Sequence, residues 1–435
     1  MGIKMKQIPL EIKIEADWTL LGHVEIHGRP EQGHRAATRF YYHEDYLLEN
    51  MDALDHRNYR ALSLGTPLNF GLKSYPTWHP YLLDILPNGA ARQAWQKRLG
   101  IERDGPSHDL DVLYNAPITP PGNVRVQMEN RKQLTTIDHP GFSKNEIIDR
   151  GMSFIDYAEQ MGAMVSGFSG AGGMAPKFLL VKDKKGQWHG DQAIEEKSIA
   201  EYYIVKYPRG KTLRDKQILE AEASYMDLAE MAGLKTDGKL EYVQDTLFIK
   251  RFDRNIGRES VEYYGLESLC SALEMASYTP QITNNDLLKV IAKYSSDAEA
   301  DCIEFILRDF LNIAYGNNDN HARNTSFIKK TDGSIRLSPV YDFAPMAYDP
   351  EGIPRAIKWQ KEKLYIPDMN AIEDELVGLS VGVNIFKEKL DLFIEAVVSS
   401  EQFLSDRLAH HQLIEHCTRF KGDLIHALKA YRDSK

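Results

Sequence analysis

The sequence predicts an α+β fold in two lobes: a mixed α/β N-lobe with an extra N-terminal subdomain, and a mostly helical C-lobe. Three observations carry this. Strand-like alternation marks the start of the chain, where Leu10, Ile12 and Ile14 are separated by polar residues. Helical spacing dominates after Asp253, most clearly in Ile303, Ile306, Phe310 and Ile313. The length of 435 residues exceeds one ordinary core and requires two or three lobes. The expected division is 1–150 for the N-terminal subdomain, 151–255 for the rest of the N-lobe and 256–435 for the C-lobe.

In order along the chain, Leu10 to Ile14 and Leu21 to Ile26 form a hairpin or meander. His79 to Ile101 gives a helix with Tyr81, Leu82, Ile85 and Leu86 on one face, a turn at Pro87-Asn88-Gly89, and a second helix. Ile118 to Asn123 reads as a loop, and the polar stretch Asn130 to Asp149 as a connection between lobes. From Ser166 the run SGFSGAGGMAPKFLLV sets small residues before an apolar strand with Lys177 at its entrance. Glycines there let backbone N–H groups converge on an anion, although a mobile hairpin has the same composition. Ile199 to Pro208 is a strand bearing Lys206, and a helix from Asp215 to Ala232 stops at Gly233. Thr246 to Phe252 is a short strand placing Lys250, Arg251 and Phe252 at a hinge. Asp301 to Tyr315 is an amphipathic helix ending at Gly316. Phe386 to Val397 is another, and Leu408 to Tyr431 forms one or two more.

Composition narrows the function. Lys plus Arg number 53 against 63 for Asp plus Glu, a net charge of -10, which opposes unspecific attraction to nucleic-acid phosphates. Cys270, Cys302 and Cys417 are too scattered for a metal site or a disulfide framework, which fits a reducing cytoplasm. Charges interrupt the N-terminus before any signal-like apolar core forms, and no later stretch approaches a membrane span, so no membrane partner is expected.

The segment GNNDNHARN, Gly316 to Asn324, carries the chemistry. Phosphoryl transfer needs a carboxylate to take the attacking hydroxyl's proton, and oxygen donors to hold magnesium against the phosphates. Asp319 and Asn324 are five apart, as in the catalytic loop of protein kinases, and Asp342-Phe343-Ala344 stands where those enzymes have Asp-Phe-Gly. Taken alone, Asp-X4-Asn is better explained by an Asx turn capping a helix. With His321, the preceding amphipathic helix and Pro339 to Asp342 in order, catalysis is the better account, in a two-lobed protein-kinase-like fold.

The ordered pieces DILPNGAARQAW, SGAGGMAPKF, YIVKYP, EAEASYMDLAEMAGL, TLFIKRFDR, GNNDNHARN and LSPVYDFAP resemble the HipA family of serine/threonine kinases, toxin components of persistence modules. The resemblance spans nearly the whole chain. It implies Asp319 as catalytic base and Asn324 with Asp342 as the Mg2+-holding pair. For ATP it implies Lys206 as the phosphate lysine, and Gly172, Gly173, Met174, Ala175, Pro176 and Lys177 as the nucleotide loop. Lys250, Arg251 and Phe252 become the adenine hinge, and His321, Ala322, Arg323 and Tyr341 further nucleotide contacts. It also implies self-phosphorylation at Ser169, with Ser166 as the alternative, and a HipB-like helix-turn-helix antitoxin through which operator DNA is bound. Aminoacyl-tRNA synthetases are the implied class of protein substrate. Two other readings are a small-molecule phosphotransferase and a catalytically silent scaffold of an antitoxin–operator complex. Nucleotide binding with magnesium separates the scaffold from both kinases.

Overall fold

Alternation in the first strand does what period 2 requires: Leu10 and Ile12 are fully buried, and Ile14 packs against the edge of the same core. In this computed structural model, residues 6–15, 17–55, 58–115, 120–127, 139–160, 164–165, 175–191, 193–258 and 260–434 are described. Contacts divide the chain into two compact units. The first comprises Met1–Tyr207, Phe248–Pro280 and Ser326–Ser334; the second comprises Pro208–Leu247, Gln281–Thr325 and Ile335–Lys435. These units cut across the expected division at 150 and 255, because each gathers segments distant in sequence.

In the first unit, β1 (Lys6–Ile14) pairs antiparallel with β2 (Asp17–Ile26). With β3 (Thr38–Tyr42), β4 (Lys73–Tyr75) and β5 (Val124–Val126) they form one sheet of order β4-β3-β2-β1-β5. Its apolar face meets the buried Leu82, Ile85 and Leu86, and Pro87-Asn88 separates the short helix Leu82–Ile85 from Gly89–Leu99 as the sequence predicts. A second sheet centres on β7 (Lys177–Asp183), which pairs antiparallel with β6 (Met164–Val165), β8 (Trp188–Gly190) and β9 (Ile199–Lys206). After β10 (Glu241–Val243) in the second unit, the chain re-enters the first within β11 (Thr246–Lys250). The hairpin β12 (Arg254–Ile256) and β13 (Val261–Tyr263), and β14 (Gly265–Ser268) beside β15 (Ser326–Lys329), were not expected from sequence. Strands of three or four residues are too short to display a period.

Buried charge ties this unit together. The Arg251 guanidinium donates to Asp253 at 2.8 and 3.0 Å, to Asp191 at 2.9 Å and to the Pro120 carbonyl at 3.1 Å. Arg254 joins Asp253 at 2.7 Å. Burial alone would raise the Asp253 carboxyl, but Arg251 and Arg254 outweigh it and hold it down at about 2. A second cluster sets Lys329 against Glu267 at 3.5 Å, with Ser63 and the Leu64 N–H also donating to that carboxylate.

The second unit is largely helical. It contains Leu213–Met231, Asn284–Tyr294, Ala298–Ala314, Met369–Gly378, Val383–Arg407, His411–Cys417 and Lys421–Asp433. Three short strands accompany them: β16 (Ile335–Leu337), β17 (Glu362–Lys363) and β18 (Ile366–Pro367). Gly233 takes φ +75° where the first of these helices was expected to stop. The three cysteines are buried free thiols. Among the described residues, no helix is long and apolar enough to cross a membrane.

A depressed carboxyl stabilises the fold above its unfolded pKa of roughly 3.9 and loses that contribution as pH falls through the folded value. The stability difference between the native chain and Asp253→Asn is therefore expected to be full at pH 7 and to shrink between about pH 4 and pH 2. Urea unfolding midpoints across that range measure it.

Candidate active site

The helix Ala298–Ala314 presents Ile303, Ile306, Phe310 and Ile313 to the core and ends at Tyr315. Gly316 then turns with φ +65°, and a Cβ there would lie 2.9 Å from the Cys417 carbonyl oxygen. Only glycine satisfies both the left-handed turn and the close approach. The loop beyond is bonded throughout its length. Asn317 N–H donates to the Asn312 carbonyl at 2.9 Å, and Asn318 Nδ2 to the Ile353 carbonyl at 2.9 Å.

Asp319 and Asn324 are joined directly. Asn324 Nδ2 donates to the Asp319 carbonyl at 2.7 Å, and its N–H to the His321 carbonyl at 2.8 Å. With Nδ2 so fixed, Oδ1 is a buried acceptor with no hydrogen-bond partner. A buried amide oxygen without a hydrogen-bond partner is the donor type that a hard cation such as magnesium takes. Among the described residues no group of three or more His, Cys, Asp or Glu could hold a metal.

His321 Nδ1 accepts the Arg323 N–H at 3.3 Å, which leaves the ring proton on Nε2, 3.5 Å from Asp319 Oδ1. The histidine thus braces the loop. Ala322 and Arg323 are buried, and the Arg323 carbonyl accepts the Tyr341 hydroxyl at 2.8 Å. Asp342 follows with φ +51°, while Phe343 packs on Tyr225 with ring centroids 5.1 Å apart. A narrow cavity under the loop is lined by Asn317, Asn320, His321, Asn324 and Tyr341.

The first unit contributes a different constellation. Lys177 and Lys206 stand directly opposite each other in the β7–β9 register and are 8% and 5% exposed. Like charges across a strand pair repel, and burial deepens the penalty, so both ammonium groups need compensating interactions. Pro176 accepts the Tyr207 N–H at 3.0 Å, which fixes the entrance to β7. Lys250 is an exposed partner of Glu201. Arg251 departs most from expectation: its side chain is fully buried in the Asp191 and Asp253 cluster, and its N–H donates to the Tyr202 carbonyl at 3.0 Å. Gly172, Gly173, Met174, Ser166 and Ser169 lie outside the described residues, and Ala175 is the first of the nucleotide-loop segment to be described.

A model of the HipA-like C-terminal domain matches residues 169–400, more than half of the sequence. The chain belongs to the HipA-like family. A kinase candidate of Haemophilus influenzae is 25% identical over 218 residues, covering 48% of this chain and 59% of that protein's length. The kinase candidate Y4mE of Sinorhizobium fredii is 22% identical over 346 residues, 76% of this chain and 79% of that protein. A solved complex of Shewanella oneidensis HipA with HipB and operator DNA superposes with a TM-score of 0.63 at 17% identity, covering 98% of this chain and all of that one. That likeness gives the HipA-like fold, of mixed α and β structure.

One group was missed from sequence. Asp309, 4% exposed, accepts Arg355 Nη2 at 2.6 Å, Trp359 Nε1 at 2.8 Å and Asn320 Nδ2 at 3.2 Å. Its signal was available: a carboxylate three residues after Ile306 and four before Ile313 lies on the buried face of the helix. Asp309→Ala leaves Arg355 short of a buried counter-charge and is expected to cost about 3 kcal/mol, read by urea unfolding.

Proposed function

We propose that this HipA-like chain is an ATP- and Mg2+-dependent serine/threonine protein kinase, the toxin of a toxin–antitoxin module, working in the cytoplasm. The loop Gly316–Asn324 carries the reading. It holds Asp319 and Asn324 in one bonded unit and leaves the buried Asn324 Oδ1 without a partner.

In the proposed reaction the Asp319 carboxylate accepts the proton of a serine or threonine hydroxyl as its oxygen bonds to the γ-phosphorus. The bond from that phosphorus to the β,γ-bridging oxygen breaks, and ADP leaves with the electron pair. Asn324 and Asp342 would hold magnesium, which when bound would neutralise charge on the phosphates. Lys177 and Lys206 attract the phosphate tail, and the segment Gly172 to Lys177 encloses it. Lys250 to Phe252 border the adenine.

Self-phosphorylation at Ser169 adds roughly two negative charges to the loop that must receive ATP and so favours its ejection. The relative from Shewanella oneidensis was solved with HipB and operator DNA. By extension, a helix-turn-helix antitoxin is the partner here, and the complex acts as corepressor with DNA reached through the antitoxin. The net charge of -10 favours that indirect route. An aminoacyl-tRNA synthetase is the substrate class the family relationship suggests.

Incubation with Mg2+ and labelled ATP, followed by peptide mass spectrometry, tests the reading. Label on Ser169 is expected in the native chain and lost on chelation. Asp319→Asn should lower transfer by roughly 10²–10⁴-fold while leaving the fold intact. Undiminished transfer in that variant removes Asp319 as the base, and absent nucleotide binding favours a scaffold.

A further inference from the structure

The hairpin β17–β18 in the second unit closes with two residues, Leu364 at φ +49° and Tyr365 at φ +71°. Positive φ at both central positions is the turn geometry that asparagine and glycine adopt cheaply and that leucine and tyrosine do not. Leu364 nevertheless sits at the tip, 77% exposed. Strain combined with an exposed leucine has no packing rationale, and strained positions that persist tend to be functional.

The surroundings indicate what would cover it. The Tyr365 ring stacks on Phe420 with centroids 4.5 Å apart, and the Arg419 guanidinium lies 4.9 Å from the Phe420 ring centre. Lys358, Lys361 and Lys363 are exposed on the same stretch. The neighbouring acids are engaged internally: Glu362 holds Arg355 at 2.5 Å and the Trp359 N–H at 3.1 Å, and Asp368 caps Asn370 and Ala371. A cationic patch with an apolar tip therefore stands on a chain whose net charge is -10, so an acidic partner is repelled by the chain as a whole and drawn to this place.

From this juxtaposition we infer that the 358–367 hairpin is a docking element for an acidic, leucine-accepting segment of a protein substrate. The inference rests on the kinase reading above. The hairpin is fixed to the catalytic loop through Trp359 and Arg355, both bonded to Asp309, which also holds Asn320 beside Asp319. A segment captured at Leu364 is thereby held in a constant relation to the loop bearing the base, and binding energy from this remote contact serves positioning.

Binding of fluorescein-labelled, dephosphorylated casein, an acidic protein, to the full chain is measured by anisotropy without ATP. The double change Lys361→Glu with Lys363→Glu is expected to weaken it at least tenfold and flatten its salt dependence. Leu364→Asn suits the left-handed turn, so its Tm should hold or rise while casein binding weakens severalfold. In transfer assays both variants should raise the KM for casein with kcat and self-phosphorylation unchanged. Unchanged affinity in both variants overturns the inference, and so does weakened binding without a KM change. Tighter, variant-sensitive binding of a 20-nucleotide single-stranded RNA would assign the surface to nucleic acid and overturn it as well. A native chain that binds casein but transfers no phosphate to any acceptor refutes the kinase reading instead, a failure the ATP-free arm distinguishes.

Discussion

The helix Ala298–Ala314 is the beam on which the second unit is hung, and three ionic residues on its buried side do the hanging. Asp301 accepts the Leu337 N–H at 2.9 Å, the Arg336 guanidinium at 3.0 to 3.2 Å and the Ser295 hydroxyl at 2.5 Å. Arg308 donates to the Ser338 carbonyl at 2.7 Å, and Asp309 holds Arg355 and Trp359. The chain from Ile335 to Trp359 is thus strapped along the helix at successive points, and Asp342 lies between two of them. Because the same helix projects Gly316 and the Asp319 loop, the two carboxylates are held by one rigid element. Side chains on such support keep a geometry that is set during folding.

Buried ions are weak stabilisers, because desolvation offsets much of their attraction. Their value in the first unit is registry. Arg251 joins Pro120, Asp191 and Asp253, which are far apart in sequence, and Lys329 donates to the Ala61 and Leu62 carbonyls as well as meeting Glu267. Burial raises the Glu267 carboxyl and lowers the Lys329 ammonium, so each is tolerable only in the presence of the other. Lys177 opposite Lys206 is a pair of the opposite kind, two buried like charges in register that repel unless other groups compensate them.

Legibility followed length and locality. The helices were evident because apolar residues repeat over many turns, and the Asp319, Asn324 and Asp342 set could be picked out as a candidate because it follows a motif spacing. The hairpin Arg254–Ile256 with Val261–Tyr263 was invisible because three residues cannot show a period. Arg251 was assigned to a hinge because it follows an apolar strand, yet besides the nearby Asp253 it binds Asp191, sixty positions away, and no local pattern announces that second pairing. Asp309 was open to detection, since an acid on an apolar face must find a partner, but the identity of that partner, Arg355, depends on the path of the strapped segment.

Strain at Asp342 follows from the same strapping. A non-glycine residue at φ +51° costs roughly 1–2 kcal/mol, less for aspartate than for most, and glycine would remove the cost. The flanking residues leave no freedom to relax: Tyr341 is bonded to the Arg323 carbonyl and Phe343 is packed on Tyr225, whose hydroxyl in turn donates to the Tyr315 carbonyl at 2.9 Å. The backbone at 342 is thus dictated by contacts on both sides, and the residue is free to be chosen for its side chain. A carboxylate at a position where glycine would be more stable carries a folding cost, and it lies in the segment that the Ala298–Ala314 helix holds in place.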